Sequence, residues 1–165
     1  MIFYSEIIKA FQKHKVKYVI AGGIAVNLHG SLRSSSDMDI LVEMSDDNLK
    51  KVVLLLQRMG YRVKQAVNPL DIADARIRRS WIKQKNMKAF NFYKGDSLKE
   101  VDIIIDSPVS YEDAERSARR IRIDGAVLPV ISIDNLIKMK SNTGRAVDRL
   151  DVEQLRKIKK LMRRK

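Results

Sequence analysis

The stretch Val16-Lys17-Tyr18-Val19-Ile20-Ala21-Gly22-Gly23 constrains this chain most. Its β-branched and aromatic residues read as a short buried strand. The glycines then remove side chains where the chain turns, and Ile24-Ala25-Val26-Asn27-Leu28 reads as a helix that stops at Gly30. A backbone without side chains lets a ligand come close, and the free N–H groups at a helix start favour phosphate oxygens. The polar loop Ser31-Leu32-Arg33-Ser34-Ser35-Ser36 follows, and then Asp37-Met38-Asp39 opens a second strand running to Glu43.

The rest of the chain alternates in the same way. Phe3, Ile7, Ile8 and Phe11 stand at helical spacing over 3–14. Ser45-Asp46-Asp47 caps a helix over 49–59 that ends at Gly60, and 61–67 reads as a strand. Pro69 begins a helical stretch to about Lys85, followed by strands at 88–93 and 100–105. Pro108 and Tyr111 start another helix, and 120–130 reads as a hairpin around Asp124-Gly125. From Ile133 the pattern is helical, broken at Asn142-Thr143-Gly144. Strand–helix alternation predicts an α/β (α+β) fold, a mixed sheet with helices packed on it. We read 1–165 as one domain, with a core over about 16–130 and a C-terminal helical part over about 133–163.

Composition limits the chemistry. The absence of cysteine excludes disulfides, a thiolate zinc site and a catalytic thiol, and two histidines, His14 and His29, make a histidine-rich metal site unsuitable. No apolar run is long enough for a membrane span and no leader pattern opens the chain, so a cytoplasmic protein without a membrane partner is the expectation. The 33 Lys and Arg against 20 Asp and Glu give a net charge of +13. Residues 1–75 hold 10 basic and 8 acidic residues, and 76–165 hold 23 and 12, so the excess lies in the second half. It gathers at 76–88, 116–122 and 156–165, which suggests a phosphate-facing surface. Aromatics are only 6%, which gives base stacking little support.

The acids carry the chemistry. Asp37 and Asp39, at i and i+2 on a strand, point to one face. Paired carboxylates repel unless a cation sits between them, and oxygen ligands of this kind suit Mg²⁺ together with substrate phosphates. Glu100-Val101-Asp102-Ile103-Ile104-Ile105 offers another strand whose Asp102 could join them, with Val101 and Ile103 turned to the core. Neither GxxxxGK[ST] nor GxGxxG occurs at the glycines, so P-loop and Rossmann readings fail. His29 reads as a helix-end residue, and Trp81, amid Arg78, Arg79 and Lys83, as a core contact.

The stretch VIAGGIAVNLHGSLRSSSDMDILV resembles the first half of the nucleotidyltransferase superfamily core, the polymerase-β-like fold. The segment LIKMKSNTGRAVDRLDVEQL is similar to the C-terminal signature of small abortive-infection and type IV toxin–antitoxin-related nucleotidyltransferases, K-x4-R-x2-D-x2-D, falling on Lys140, Arg145, Asp148 and Asp151. The resemblance spans about residues 16–155. It implies an enzyme that transfers a nucleoside monophosphate from an NTP to a hydroxyl and releases pyrophosphate. It further implies a two-metal Mg²⁺ site on Asp37, Asp39 and Asp102, with Asp102 helping to activate the acceptor hydroxyl. Gly22 and Gly23 would cradle the phosphates, and Arg33 and Lys140 would add positive charge; ATP is one candidate nucleotide. Many relatives carry Ser after the first glycine where this chain has Gly23, so backbone contacts must suffice. Arg145, Asp148 and Asp151 read first as a clamp on the last helix.

The basic second half favours RNA, such as a tRNA end, or a protein as acceptor, with a toxin–antitoxin partner protein in view. A small acceptor such as an aminoglycoside is disfavoured because 165 residues show no separate acceptor domain. The alternative of another class is a non-catalytic nucleotidyltransferase-fold module, antitoxin-like or RNA-binding. The presence of all three acids argues against such a degenerate site.

Overall fold

The computed structural model describes residues 4–95 and 97–164. Phe3, assigned by periodicity to the first helix, and Lys165, the last basic residue of the tail, lie outside them. Among the described residues the strands are β1 (Tyr18–Ile20), β2 (Met38–Val42), β3 (Arg62–Val63), β4 (Ala89–Tyr93), β5 (Glu100–Ile104), β6 (Arg119–Ile123) and β7 (Ala126–Val130). The helices are α1 (Ser5–Lys13), α2 (Gly22–Leu28), α3 (Asp46–Arg58), α4 (Ala75–Lys85), α5 (Tyr111–Arg116), α6 (Ile133–Lys140) and α7 (Ala146–Met162). The strands form one mixed sheet in the order β3-β4-β5-β2-β1-β7-β6, the α/β architecture that the alternation predicts.

Each local feature has a visible cause. Ser45 caps α3 by accepting from the Asn48 N–H, and α3 buries Leu49, Val52, Val53 and Leu56 against the sheet cluster. Buried Asn48 donates to the carbonyls of Lys17 and Glu43 and accepts from the Lys17 N–H, fastening α3 to the ends of β1 and β2. Trp81 of α4 stacks on Phe90 of β4 with ring centroids 5.3 Å apart, so it is a core residue, as its helical setting predicts. Burying a side chain of this class contributes about 1.5–3 kcal/mol.

Two elements differ from the sequence reading. The strand expected over 61–67 is only Arg62–Val63, because Gln65 turns its side chain onto Asn91, accepting from the Asn91 N–H and donating to Asn91 Oδ1. That amide replaces the next ladder bond. The helical stretch after Pro69 is split: residues 69–73 make a 3-10 turn, and Asp74 then caps α4 by accepting from the N–H groups of Arg76 and Ile77. Among the described residues no helix is long and apolar enough to cross a membrane.

Candidate functional site

Strand pairing brings two of the three predicted carboxylates side by side, and the third, Asp37, comes just ahead of β2. β2 and β5 are parallel neighbours at the middle of the sheet, and their register sets Asp39 directly beside Asp102. Val101 and Ile103 are fully buried on the other face, so alternation turns Asp102 away from the core, as predicted. Asp37 precedes β2 and accepts from the Ser36 hydroxyl at 2.9 Å. Among the described residues none of the three carboxylates is in an ion pair.

The glycines close this site from the β1 side. Gly22 has φ +62°, and a Cβ there would overlap the Asp39 carboxylate. A Cβ on Gly23 would meet the Ser35 hydroxyl and lie 3.3 Å from Arg33 Cζ. The Gly23 N–H also donates to Asp39. The positive φ and the close approach both require Gly22, whereas Gly23 answers only to space.

Electrostatics sets the acids apart from ordinary surface carboxylates. Burial, with Asp102 and Asp37 nearby, pushes the Asp39 carboxyl up to about 6, although Lys140 and the Gly23 N–H oppose this. Burial also raises Asp102, against a hydrogen bond donated by Asn91 at 2.8 Å, while Asp37 and Glu100 add repulsion. Mutually repelling carboxylates without a resident cation fit a hard divalent ion. Among the described residues no three acidic or histidine side chains converge tightly enough to enclose a metal unaided. Mg²⁺ takes one or two carboxylates and completes its shell from water and substrate phosphate, so the adjacent Asp39 and Asp102 would be enough to hold it.

The C-terminal signature folds into a second cluster. Lys140, buried at the end of α6, pairs with Asp148 at 2.7 Å and Asp151 at 2.9 Å. Arg145 Nε donates to Asp148 at 2.7 Å, as does the Thr143 hydroxyl, and Arg33 pairs with Asp151. Burial raises the Asp148 carboxyl, but the bonds from Arg145, Lys140 and Thr143 outweigh it and hold the group far below the usual carboxylate range. Arg33 and Lys140, expected as phosphate charges, are therefore both engaged with acids of α7. Arg33 still reaches Gly23, whereas the direct partners of Lys140 are carboxylates.

The sequence reading missed three contributors. Asn91 stands opposite Asp102 across the β4–β5 pair and hydrogen-bonds its carboxylate, while Gln65 in turn holds Asn91. A lone polar residue in Ala-Phe-Asn-Phe-Tyr, in register with an acid, is the signal that could have found Asn91. Tyr4 places its buried hydroxyl between the Ser36 and Glu100 carbonyls and accepts from the Glu100 N–H, tying together the chain just before Asp37 and the start of β5. No local signal marks that contact. His29 caps the end of α2 and donates to the Ile131 carbonyl at 2.7 Å, in keeping with the helix-end reading; burial lowers its pKa.

The basic runs do not converge on the carboxylates. Arg116 ends α5, Arg119, Arg120 and Arg122 lie on β6, an outer strand of the sheet, and the other two runs lie on or just after α4 and the late part of α7. Part of it is spent locally, in Lys88–Asp106, Arg120–Glu115 and Lys159–Asp134.

Solved structures share this fold. The lincosamide antibiotic adenylyltransferase LnuA, lincomycin-bound, is 19% identical with a TM-score of 0.61, covering 93% of this chain and 94% of that one. ANT(2'')-Ia in complex with adenylyl-2''-tobramycin is 14% identical with a TM-score of 0.55, covering 95% and 91%. An antigenic nucleotidyltransferase-like protein from Paracoccidioides brasiliensis is 15% identical with a TM-score of 0.54, covering 92% and 72%. No curated protein sequence matches the chain. The aminoglycoside-2''-adenylyltransferase family profile matches residues 4–155, nearly the whole chain and both acid clusters. With that match added to the fold and the carboxylate site, this chain belongs to the aminoglycoside-2''-adenylyltransferase family and is a nucleotidyltransferase.

Proposed function

We propose that the protein transfers a nucleoside monophosphate from an NTP, with Mg²⁺, to a hydroxyl of a small organic molecule. The observation that carries this reading is the register of Asp39 beside Asp102, facing a glycine backbone that admits no side chain. In-line displacement requires charge stabilisation on both the attacking and leaving oxygens. Asp37, Asp39 and Asp102 would hold the metal, which supplies Lewis acidity toward the phosphate oxygens when bound. The Gly22 N–H would be open to the triphosphate, the Gly23 N–H is held by Asp39, and the Arg33 guanidinium, anchored by Asp151, would add positive charge beside it. The acceptor oxygen bonds to the α-phosphorus, the α–β bridging P–O bond breaks, and pyrophosphate leaves. Asp102, raised in pKa and oriented by Asn91, takes the hydroxyl proton. Lys140 serves as a counter-charge that positions Asp148 and Asp151 and lowers the cost of ionising Asp39.

The relatives favour a small acceptor over the RNA, protein or toxin–antitoxin partner suggested by the basic second half. LnuA, an antibiotic adenylyltransferase solved with lincomycin bound, is covered over 94% of its length, which supports a small acceptor for a chain of this extent. The dispersal of the basic runs over separate elements supports the same preference. The test is label transfer from each of the four NTPs with Mg²⁺, using small hydroxyl acceptors and, in parallel, total RNA. The reading predicts a labelled small product that disappears in Asp39→Asn. Labelled RNA alone, or transfer that survives in Asp39→Asn, would overturn it.

A further inference from the structure

A cleft of about 440 Å³ lies between the loop after α2 and the outer face of α7. Its walls include Leu32, Val147, Leu150 and Ile158, with Arg33 and Asp151 at its polar side. Leu32 is fully exposed and Leu150 is 60% exposed, an apolar surface open to solvent. The volume lies within the range of small-molecule sites. The cleft is continuous with the glycine cradle through Arg33, which lines it and also packs against Gly23.

Its charge is as informative as its shape. A polyamine acceptor needs carboxylates free to meet its ammonium groups, because burying an uncompensated charge is costly. Asp151, the one acid lining the cleft, is already shared by Arg33 and Lys140. Nearby Asp148 is held by Lys140 and Arg145, and Glu100, at the start of the Asp102 strand, is paired with Lys64. Of the other acids, Asp37, Asp39 and Asp102 are assigned to the metal, and Glu153, exposed on α7, lies outside the residues that line the cleft. A polycation would meet no unpaired acid among the residues that line the cleft, and it would meet Arg33 there.

Resting on the nucleotidyl-transfer reading, we propose that this cleft seats the acceptor, and that the acceptor is a hydroxyl compound with an apolar portion and at most one positive charge. Polycationic aminoglycosides are thereby excluded, although the family takes its name from them. The apolar portion packs on Leu32, Val147, Leu150 and Ile158, and its hydroxyl is presented toward Asp102.

The experiment measures pyrophosphate release with Mg²⁺ and ATP, or whichever NTP the label-transfer assay selects, across a graded panel of hydroxyl compounds. The panel runs from uncharged through lincomycin to tobramycin, and wild type is compared with Leu150→Glu. Melting with and without Mg²⁺ and that nucleotide is followed in both proteins, and sedimentation gives the association state. The proposal predicts turnover confined to compounds with at most one ammonium group. It predicts at least a tenfold loss of that turnover in Leu150→Glu, with the nucleotide-induced rise in melting temperature retained. Preferential use of tobramycin overturns it, as does failure of every compound with at most one charge. Loss of the nucleotide shift in Leu150→Glu also overturns it, since the cleft would then hold the base. So does a wild-type dimer that Leu150→Glu dissociates without changing turnover, since a second copy would then cover the cleft. Absence of any nucleotide shift in wild type condemns the nucleotidyl-transfer reading itself, which separates the two failures.

Discussion

Two groups of aspartates lie in this protein, and their surroundings are opposite. Asp39 and Asp102 lie side by side with Asp37 close enough to repel both, none of the three is in an ion pair among the described residues, and burial lifts Asp39 to about 6. Asp148 and Asp151 are also buried, yet Lys140, Arg33 and Arg145 neutralise them, and Asp148 is driven far below its usual range despite that burial. A carboxylate that brings its own cation is structural. One that is buried beside other acids awaits a cation from outside. Lys140 stands between the groups, in contact with the second and felt electrostatically by the first.

The sharpest way to break this contrast is Asp39→Asn. It removes a metal-binding oxygen while relieving repulsion, so transfer falls by about a hundredfold or more, several kcal/mol of transition-state stabilisation, with no loss of melting temperature. Steady-state kinetics alongside thermal unfolding checks both halves. Asp148→Ala inverts the pattern: it takes a partner from buried Lys140 and costs about 3–5 kcal/mol of stability, read by urea unfolding. Gly22→Ala forces a methyl onto Asp39 at a positive φ, and at least about 1–3 kcal/mol of strain appears in the same unfolding assay together with loss of transfer.

Smaller still is the opposed pH dependence of the metal-free protein. Asp39 has a folded pKa above its unfolded value of about 4, so the native state binds the extra proton and stability falls as pH rises from about 4 to 6. Asp148 is shifted the other way, so its contribution is complete above pH of about 4 and is lost as the solution becomes more acid. Denaturant titrations across pH, repeated in Asp39→Asn, should flatten only the slope between about 4 and 6.

The first group was far more legible in the sequence than the second. Gly22, Gly23, Asp37 and Asp39 lie close together along one strand–turn–helix–loop–strand unit, and the apolar alternation around Asp102 turns it to the same face. The pairing of Asp39 with Asp102 depends on strand order, a long-range property, yet alternation on both strands suffices to predict the face. The resemblance to a C-terminal family signature also brought out Lys140, Arg145, Asp148 and Asp151, but not that Arg33, more than a hundred residues away, completes their network. Asn91, Gln65 and Tyr4 escaped for the same reason, since their importance comes from contacts across the sheet. The short β3 was misread because the side chain of Gln65 replaced a backbone ladder, a substitution that hydrophobic periodicity does not reveal.

The most direct test is the melting temperature of wild type, Asp39→Asn and Asp148→Asn with and without Mg²⁺ and nucleotide, ATP being the first choice. A ligand at a hundredfold excess over its dissociation constant adds about 2.7 kcal/mol, a rise of roughly 5–10 °C for a chain of this size. The account predicts that rise in wild type and in Asp148→Asn, the latter starting from a lower baseline, and no rise in Asp39→Asn. A full rise in Asp39→Asn, or its loss in a folded Asp148→Asn, would contradict the division of the acids into a cation-seeking group and a self-neutralised one.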